Sequence, residues 1–349
     1  MAQLELVADS GDDIKALLNR VANGDTFSED EIAAALELLM TEGASDVQRA
    51  AFLMGLRVRG ETIAEITGAA RTLRSRMRAV AAPKGTIDIV GTGGDGHGSY
   101  NVSTCAAIVA AGAGACVAKH GNRSVSSRSG ASDVLKALGV KIDLGPDAVA
   151  RAIAHAGLGF MWAPMHHPAM KEWASARAEI KVRTLFNVLG PISNPANVTR
   201  QVVGVYDPRW VEPIADALNG LGSEHAWVVH GSDGLDELTT TGPTKVAEVK
   251  NGTVAVFEVL PEQAGLPLAS LDQLRGGDAE VNAKAIQALL DGEKGAFRDI
   301  VLLNTAAALI VADKAGNLID GVEIAARSID SGAARAALDK LVAITNSEP

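Results

Sequence analysis

Ile87-Asp88-Ile89-Val90, then Gly91-Thr92-Gly93-Gly94-Asp95-Gly96, then Asn101-Val102-Ser103-Thr104: this succession decides the fold class. A short β-branched apolar run, a glycine-rich turn and a helix start read as strand, loop and helix. Glycine permits tight turning, so backbone N–H groups converge on one point beside the positive end of the helix. Five glycines fall within eight residues here, at positions 91, 93, 94, 96 and 98. Such a loop is a phosphate cradle.

Working outward, the pattern from Pro83 onward alternates strands with helices. The strands are expected at Ile87–Val90, Ala115–Ala118, Leu158–Trp162, Gln201–Tyr206 and Ala226–His230. Helices are expected at Val102–Ala113, Asp147–Ala156 and Pro208–Leu221. That alternation predicts a mostly parallel sheet covered by helices. Lys245–Glu258 differs: two alternating runs flank Asn251-Gly252, a strong hairpin signal. Three helices, Asn282–Leu290, Phe297–Val311 and Val322–Val342, are expected to close the chain.

In the other direction the first 80 residues read as helices only. Ser28-x-x-Glu31, Ser45-x-x-Gln48 and Thr62-x-x-Glu65 are three capping boxes, each followed by apolar residues at helical spacing. Gly43 and Gly60 sit where helix C-caps belong. A further helical run, His166–Arg183, lies inside the α/β region and is expected to rejoin the N-terminal bundle. The expected division is therefore a helical domain over residues 1–80, joined by 166–190, and an α/β domain over 81–349, with a cleft between them.

The loop also matches G-x-G-x-x-G, but a dinucleotide site wants an acid roughly 20 residues on. Lys119-His120 stand there instead, and no G-K-[ST] ending marks a Walker loop. The second signal runs from Lys119 to Gly130 and carries Lys119, Arg123 and Arg128, with four serines and no acid before Asp133. It follows the second strand, so both loops belong at the carboxyl edge of the sheet, where open α/β sheets bind ligands. A basic, hydroxyl-rich loop beside a glycine cradle suits a ligand with more than one phosphate. The third signal is Gly231-Ser232-Asp233-Gly234-Leu235-Asp236-Glu237. An Asp-Glu pair after a glycine turn is by itself an ordinary solvated turn. Beside two loops that call for polyphosphate, it becomes a candidate for a hard cation such as magnesium.

The chain has 349 residues, ample for a large core, and 47% are hydrophobic. Its net charge of −10 and 3% aromatics argue against nucleic acid and anionic membranes as partners. Cys105 and Cys116 make no disulfide framework and read as reduced thiols of a cytoplasmic protein. The acidic N-terminus lacks the pattern of a signal peptide, and no apolar run reaches the roughly 18 residues of a membrane helix. A G-x-S-x-G elbow and a Cys/His zinc spacing are both absent.

Taken together, Gly91–Gly96, Asn101–Thr104, Lys119–Gly130 and Gly234–Glu237 resemble the anthranilate phosphoribosyltransferase family. The likeness runs from Arg59-Gly60-Glu61-Thr62 to Asp330-Ser331-Gly332. It includes Asp133-Val134-Leu135, His167-Pro168-Ala169-Met170, Arg183-Thr184 with Phe186-Asn187, and Leu189-Gly190-Pro191 with Asn194-Pro195. Lys181 stands where a glycine is frequent in that family, and Ser132 where an alanine is.

The resemblance implies a nucleoside phosphorylase/phosphoribosyltransferase-like fold and a homodimeric, magnesium-dependent pentosyltransferase of tryptophan biosynthesis. Such an enzyme joins anthranilate to phosphoribosyl pyrophosphate, giving N-(5-phosphoribosyl)anthranilate and pyrophosphate. Carried across by motif, Gly91, Gly94, Asp95, Ser99, Asn101, Val102, Ser103 and Thr104 would line the phosphoribosyl pyrophosphate site. So would Lys119, His120, Gly121, Asn122, Arg123, Ser124, Val125, Ser126, Ser127 and Ala131. Ser103, Asp236 and Glu237 would hold Mg2+; Gly91, Asn122 and Arg177 would lie near anthranilate. Asp95, Lys119 and Arg177 are the implied catalytic residues, with Arg177 gripping the anthranilate carboxylate. Two other readings stay open. A pyrimidine nucleoside phosphorylase-like enzyme would carry a different basic motif, and a non-enzymatic nucleic-acid-binding relative would need a basic surface and a damaged metal pair.

Overall fold

The computed structural model describes residues 10–123 and 128–347. Within it the chain divides into two compact units. One comprises Met1–Met77 with His167–Leu189, the other Arg78–His166 with Gly190–Pro349.

The first unit is helical. Ser10–Ala22, Glu29–Leu39, Asp46–Arg59 and Ile63–Arg76 are its N-terminal helices. All three capping boxes form, with the Ser28, Ser45 and Thr62 side chains each accepting an N–H three residues on, and their backbone N–H groups donating back to the Glu31, Gln48 and Glu65 side chains. Each cap contributes about 1 kcal/mol. The apolar stripes they start, with Ile32, Leu36, Leu39, Phe52, Leu53, Leu56 and Ile66, are buried completely or nearly so. Gly60 does cap its helix, at φ +94°. Gly43 does not: Glu29–Leu39 ends on Met40 in right-handed geometry, and Gly43 falls in the following turn.

The run 166–183 is not one helix. His166 ends a four-residue turn, Pro168–Trp173 is a 3-10 turn, and Ala174–Ile180 and Leu185–Leu189 are short helices. Pro168 interrupts because it has no N–H to donate. Lys181 stops the next helix by turning left-handed, at φ +53°.

The second unit is built on one seven-stranded sheet. Its strands are β1 (Ile87–Gly91), β2 (Val117–Gly121), β3 (Leu158–Trp162), β4 (Arg200–Gly204), β5 (His225–Gly231), β6 (Thr244–Lys250) and β7 (Thr253–Val259). The order is β3-β2-β1-β4-β5-β6-β7, with β1 to β5 parallel and β6 and β7 antiparallel. The mostly parallel sheet is as expected. So is the hairpin, whose Asn251 and Gly252 both have positive φ, as the favoured two-residue turn demands.

Some boundaries move for local reasons. The second strand starts at Val117 because the Ala115 N–H still bonds the Ala110 carbonyl at the end of the preceding helix. The fourth ends at Gly204, beyond which the Tyr206 N–H turns to the Thr92 hydroxyl at 3.0 Å. Pro208–Leu221 begins as a 3-10 turn over Pro208–Trp210 before Val211–Gly220 becomes α-helical. The expected last helix is two, Leu318–Asp330 and Ala333–Asn346, broken at Gly332 with φ +78°. The central helix Ala296–Val311 is buried along nearly its whole length, and Val102–Gly112 packs beside it in the same core.

Candidate active site

The carboxyl ends of β1, β2, β4 and β5 all finish on glycine: Gly91, Gly121, Gly204 and Gly231. Two of these have an evident steric reason. Gly91 and Gly204 are paired in register, and Asp236 lies directly over both. A Cβ on Gly91 would stand 2.4 Å from Asp236 Oδ2, and one on Gly204 1.6 Å from the Asp236 carbonyl oxygen. Any side chain at either strand end would evict the acid.

Asp236 Oδ2 accepts the Gly93 N–H of the glycine loop at 2.6 Å. Glu237 Oε1 accepts the Ser103 N–H at 3.0 Å, at the positive first turn of Val102–Gly112. Lys119 Nζ donates to the Ile89 carbonyl and, at 3.4 Å, to Ser103 Oγ. Glycine loop, helix start, second strand and acidic turn thus converge on one place. Burial and the adjacent Asp236 charge push Glu237 well above the carboxylate range. Burial pushes Lys119 down, while Asp88, Glu237 and Asp236 pull it back up. Two crowded carboxylates with a serine hydroxyl beside them are hard oxygen donors that fit Mg2+. Asp233, in the same turn, is used otherwise: it accepts the Thr239 and Thr241 hydroxyls at 2.6 and 2.7 Å and shapes the loop.

Beneath this cluster β1 and β2 part. Their ladder holds a single Cα pair, Ile87↔Val117, whereas β1 and β4 stay paired from Ile87 to Gly91. Side chains fill the gap. Asp88 Oδ1 accepts the His120 N–H at 3.1 Å, and Asp88 Oδ2 accepts Asn194 Nδ2 at 2.7 Å. Lys119 takes the Ile89 carbonyl that the ladder leaves unused. Asp88 is fully buried, and burial raises its pKa to about 6 against the pull of Lys119 and its hydrogen bonds.

In the helical unit, Arg177 lies over the Phe186 ring at 5.3 Å, and Phe186 packs on Trp173 at 4.9 Å. Burial lowers the Arg177 pKa from its usual value. Among the described residues no carboxylate pairs with it.

Sequence comparisons follow this geometry. Glycosyl transferase family, helical bundle domain, matches residues 15–77, and glycosyl transferase family, a/b domain, matches 83–335. A relative from Rhodopseudomonas palustris (strain HaA2), named anthranilate phosphoribosyltransferase, is 59% identical over 333 residues, 95% of this chain and 98% of that one. The chain belongs to the anthranilate phosphoribosyltransferase family. Two solved members agree in fold. The Thermus thermophilus protein matches with a TM-score of 0.90 at 42% identity, over 95% of this chain and 99% of that one. The Saccharomyces cerevisiae protein, solved in complex with PRPP and Mg, matches at 0.87 and 27% identity, over 97% and 99%.

Of the residues that the family likeness singles out, Gly91, Ser103, Lys119, Asp236 and Glu237 meet at one point. Gly94 turns left-handed in the loop, and Asp95 accepts the His97 N–H at 3.2 Å. Ser99 bridges to Arg275, and Asn101 holds Ser129. Val102, Thr104 and His120 are buried, and the His120 ring faces the Gly190 carbonyl at 3.1 Å. Gly121 ends β2, exposed Asn122 accepts the Arg123 N–H, Arg123 lies over Trp162 at 5.5 Å, and Ala131 opens the next helix. Ser124, Val125, Ser126 and Ser127 lie outside the described residues. The motifs include Asn194 without revealing its bond to Asp88, and they do not single out Asp88 or Gly204. The legible signals were an acid inside an apolar strand and a glycine closing another.

Proposed function

We propose that the chain transfers the phosphoribosyl group of phosphoribosyl pyrophosphate to the amine of anthranilate, releasing pyrophosphate, with Mg2+ as cofactor. The carrying observation is the crowded Asp236-Glu237 pair, anchored by Gly93 and Ser103 N–H groups where a glycine cradle meets a helix start.

The reaction breaks the bond from the ribose anomeric carbon to a pyrophosphate oxygen and forms one to the aryl nitrogen. The nitrogen gives up a proton, to the departing pyrophosphate or to water, once that bond has formed. An aryl amine is neutral near pH 7, so attack needs no strong base. The protein's tasks are to stabilise negative charge on the leaving pyrophosphate and to hold the amine in line. Ser103, Asp236 and Glu237 would hold Mg2+, which when bound neutralises charge on the leaving group as a Lewis acid. Backbone N–H groups of the glycine loop beyond Gly93 and the Arg123 guanidinium would supply donors to the charge that builds on pyrophosphate. Lys119, held between Ile89 and Ser103, balances the acidic pair from behind. Asp95 faces the same pocket and orders the loop through His97. Arg177 is suited to the anthranilate carboxylate, because a guanidinium offers two parallel donors to it. Its guanidinium already lies over the Phe186 ring. Positioning of this kind is worth up to roughly 7–11 kcal/mol in favourable cases.

A homodimer in the cytoplasm completes the proposal. No described helix is long and apolar enough to cross a membrane, and Val47 and Val58 of the helical unit are largely exposed. The test is the fading of anthranilate fluorescence on adding phosphoribosyl pyrophosphate and Mg2+. Fading that needs both additions is expected. Constant fluorescence, or phosphate-dependent cleavage of a pyrimidine nucleoside instead, would overturn the proposal.

A further inference from the structure

Asn101 stands at the N-cap of Val102–Gly112, yet its side chain caps nothing. Asparagine at that position ordinarily bonds an N–H of the first turn. Here Asn101 Oδ1 accepts Asn282 Nδ2 at 2.9 Å and the Ser129 hydroxyl at 3.2 Å, and Asn101 Nδ2 donates to the Ser129 carbonyl at 3.2 Å. Asn282, about 180 residues away, is 1% exposed, and its Oδ1 accepts the Gly277 N–H at 2.8 Å. The ends of this relay fix its direction. A backbone N–H can only donate and a carbonyl can only accept, so each amide between them has one satisfactory orientation.

The segment leading to Asn282 is itself laid along the glycine loop. The Gly276 N–H bonds the Gly98 carbonyl at 2.9 Å, and the Tyr100 N–H bonds the Leu274 carbonyl at 3.1 Å. A Cβ on Gly276 would come within 2.7 Å of both Asn282 Oδ1 and the Ser99 carbonyl oxygen. Leu274–Asn282 is thus a clasp closed on the end of the first loop. Through Asn101 it also reaches Ser129, at the end of the second. Neither the cap position nor the fold requires that diversion of Asn101.

We propose that Asn282 is a positioning residue for donor binding: through Asn101 it holds the glycine loop and Ser129, where the second loop ends, at one fixed spacing. This rests on the reading that those two loops take phosphoribosyl pyrophosphate. The spacing matters because a diphosphate must meet donors from both loops at once, and preorganised donors cost no ordering on binding.

Asn282→Ala removes both bonds of the amide. It should raise the donor KM about tenfold, as expected for the loss of one or two buried hydrogen bonds, while the anthranilate KM moves less than twofold. Hydrogen exchange should quicken together at Tyr100–Ser103 and at Ser129–Ala131. Asn282→Asp keeps the acceptor for Gly277 and the shape of the side chain. Whichever way the Asn101 amide then turns, one link of the relay breaks, so this variant should lose some melting temperature through its buried carboxylate and, assayed well below that temperature, show the same donor-selective rise. Ser129→Ala cuts the far end and should give a smaller shift of the same sign. Three results overturn the inference: donor KM unchanged in both Asn282 variants, donor and acceptor KM rising equally, or faster exchange confined to the helix Ala279–Leu290. If the wild-type chain fails to bind the magnesium donor complex in calorimetry, the reading beneath it fails as well. Wild-type binding with unaltered variants defeats this inference alone.

Discussion

The acidic cluster of the α/β unit and Arg177 of the helical unit treat charge in opposite ways. In the α/β unit Asp88, Lys119, Asp236 and Glu237 are packed close together, and each is held by hydrogen bonds from backbone or side chain. In the helical unit Arg177 is stacked on Phe186 and has no acid among the described residues. On the proposed function, the first arrangement would serve the donor and its cation, and the second the carboxylate of the acceptor. A diphosphate donor with its cation needs several fixed donors at once, whereas a single carboxylate needs one planar guanidinium.

The contrast is broken most severely by neutralising the acidic pair. Asp236→Asn with Glu237→Gln is expected to lower magnesium-dependent turnover by at least 10²- to 10³-fold, on the scale seen when preorganised electrostatic groups are removed. Near-wild-type rates at saturating magnesium would refute the metal role. Next in size, Arg177→Ala should raise the anthranilate KM about 10- to 100-fold, the loss of a charge-assisted pair of bonds, with little change for the donor. An equal rise for both substrates in steady-state assays would contradict the division of labour.

A further test concerns stability rather than turnover. Folding raises the Asp88 pKa from 3.8 to about 6, so between those values the native state holds a proton that the unfolded chain has lost. Stability from this group therefore falls as pH rises through that window and is level above it. The span is roughly 3 kcal/mol. Asp88→Asn has no such proton, so the melting temperature of the variant relative to wild type should climb from pH 4 to pH 7. A constant gap in thermal scans would show that Asp88 is not held this way.

Much of this was readable from residue order. Ser28, Ser45 and Thr62 announce their helices because a capping box is a local device whose partners lie three residues apart. Asn251-Gly252 does the same for its hairpin. Gly91–Gly96, Lys119–Gly130 and Asp236-Glu237 are likewise local runs, and strand-to-loop position alone sends them to one sheet edge. What stayed hidden depends on partners far apart in the chain. Asp88 finds Asn194 and His120 only once β1 and β2 part, and Asn282 finds Asn101 only after the last helices close on the sheet. Gly204 carries no motif; its reason is the Asp236 backbone above it. Val322–Val342 misled because apolar spacing continues across Gly332, where the backbone turns left-handed.

The helical unit supplies the smallest test. Lys181 ends Ala174–Ile180 at φ +53° and ψ 23°, a left-handed conformation that glycine adopts without strain. Lys181→Gly should stabilise the chain by about 1 kcal/mol in denaturant unfolding, without altering donor binding. A loss of stability would mean that the lysine side chain offsets the strain.

On the proposed function, donor recognition belongs wholly to the α/β unit. Calorimetric titration of the magnesium–phosphoribosyl pyrophosphate complex into wild type, Arg177→Ala and the Asp236→Asn/Glu237→Gln variant tests it most directly. Binding should be the same in wild type and Arg177→Ala and lost in the double variant. Donor binding that survives without the acidic pair, or that disappears with Arg177, would contradict the account.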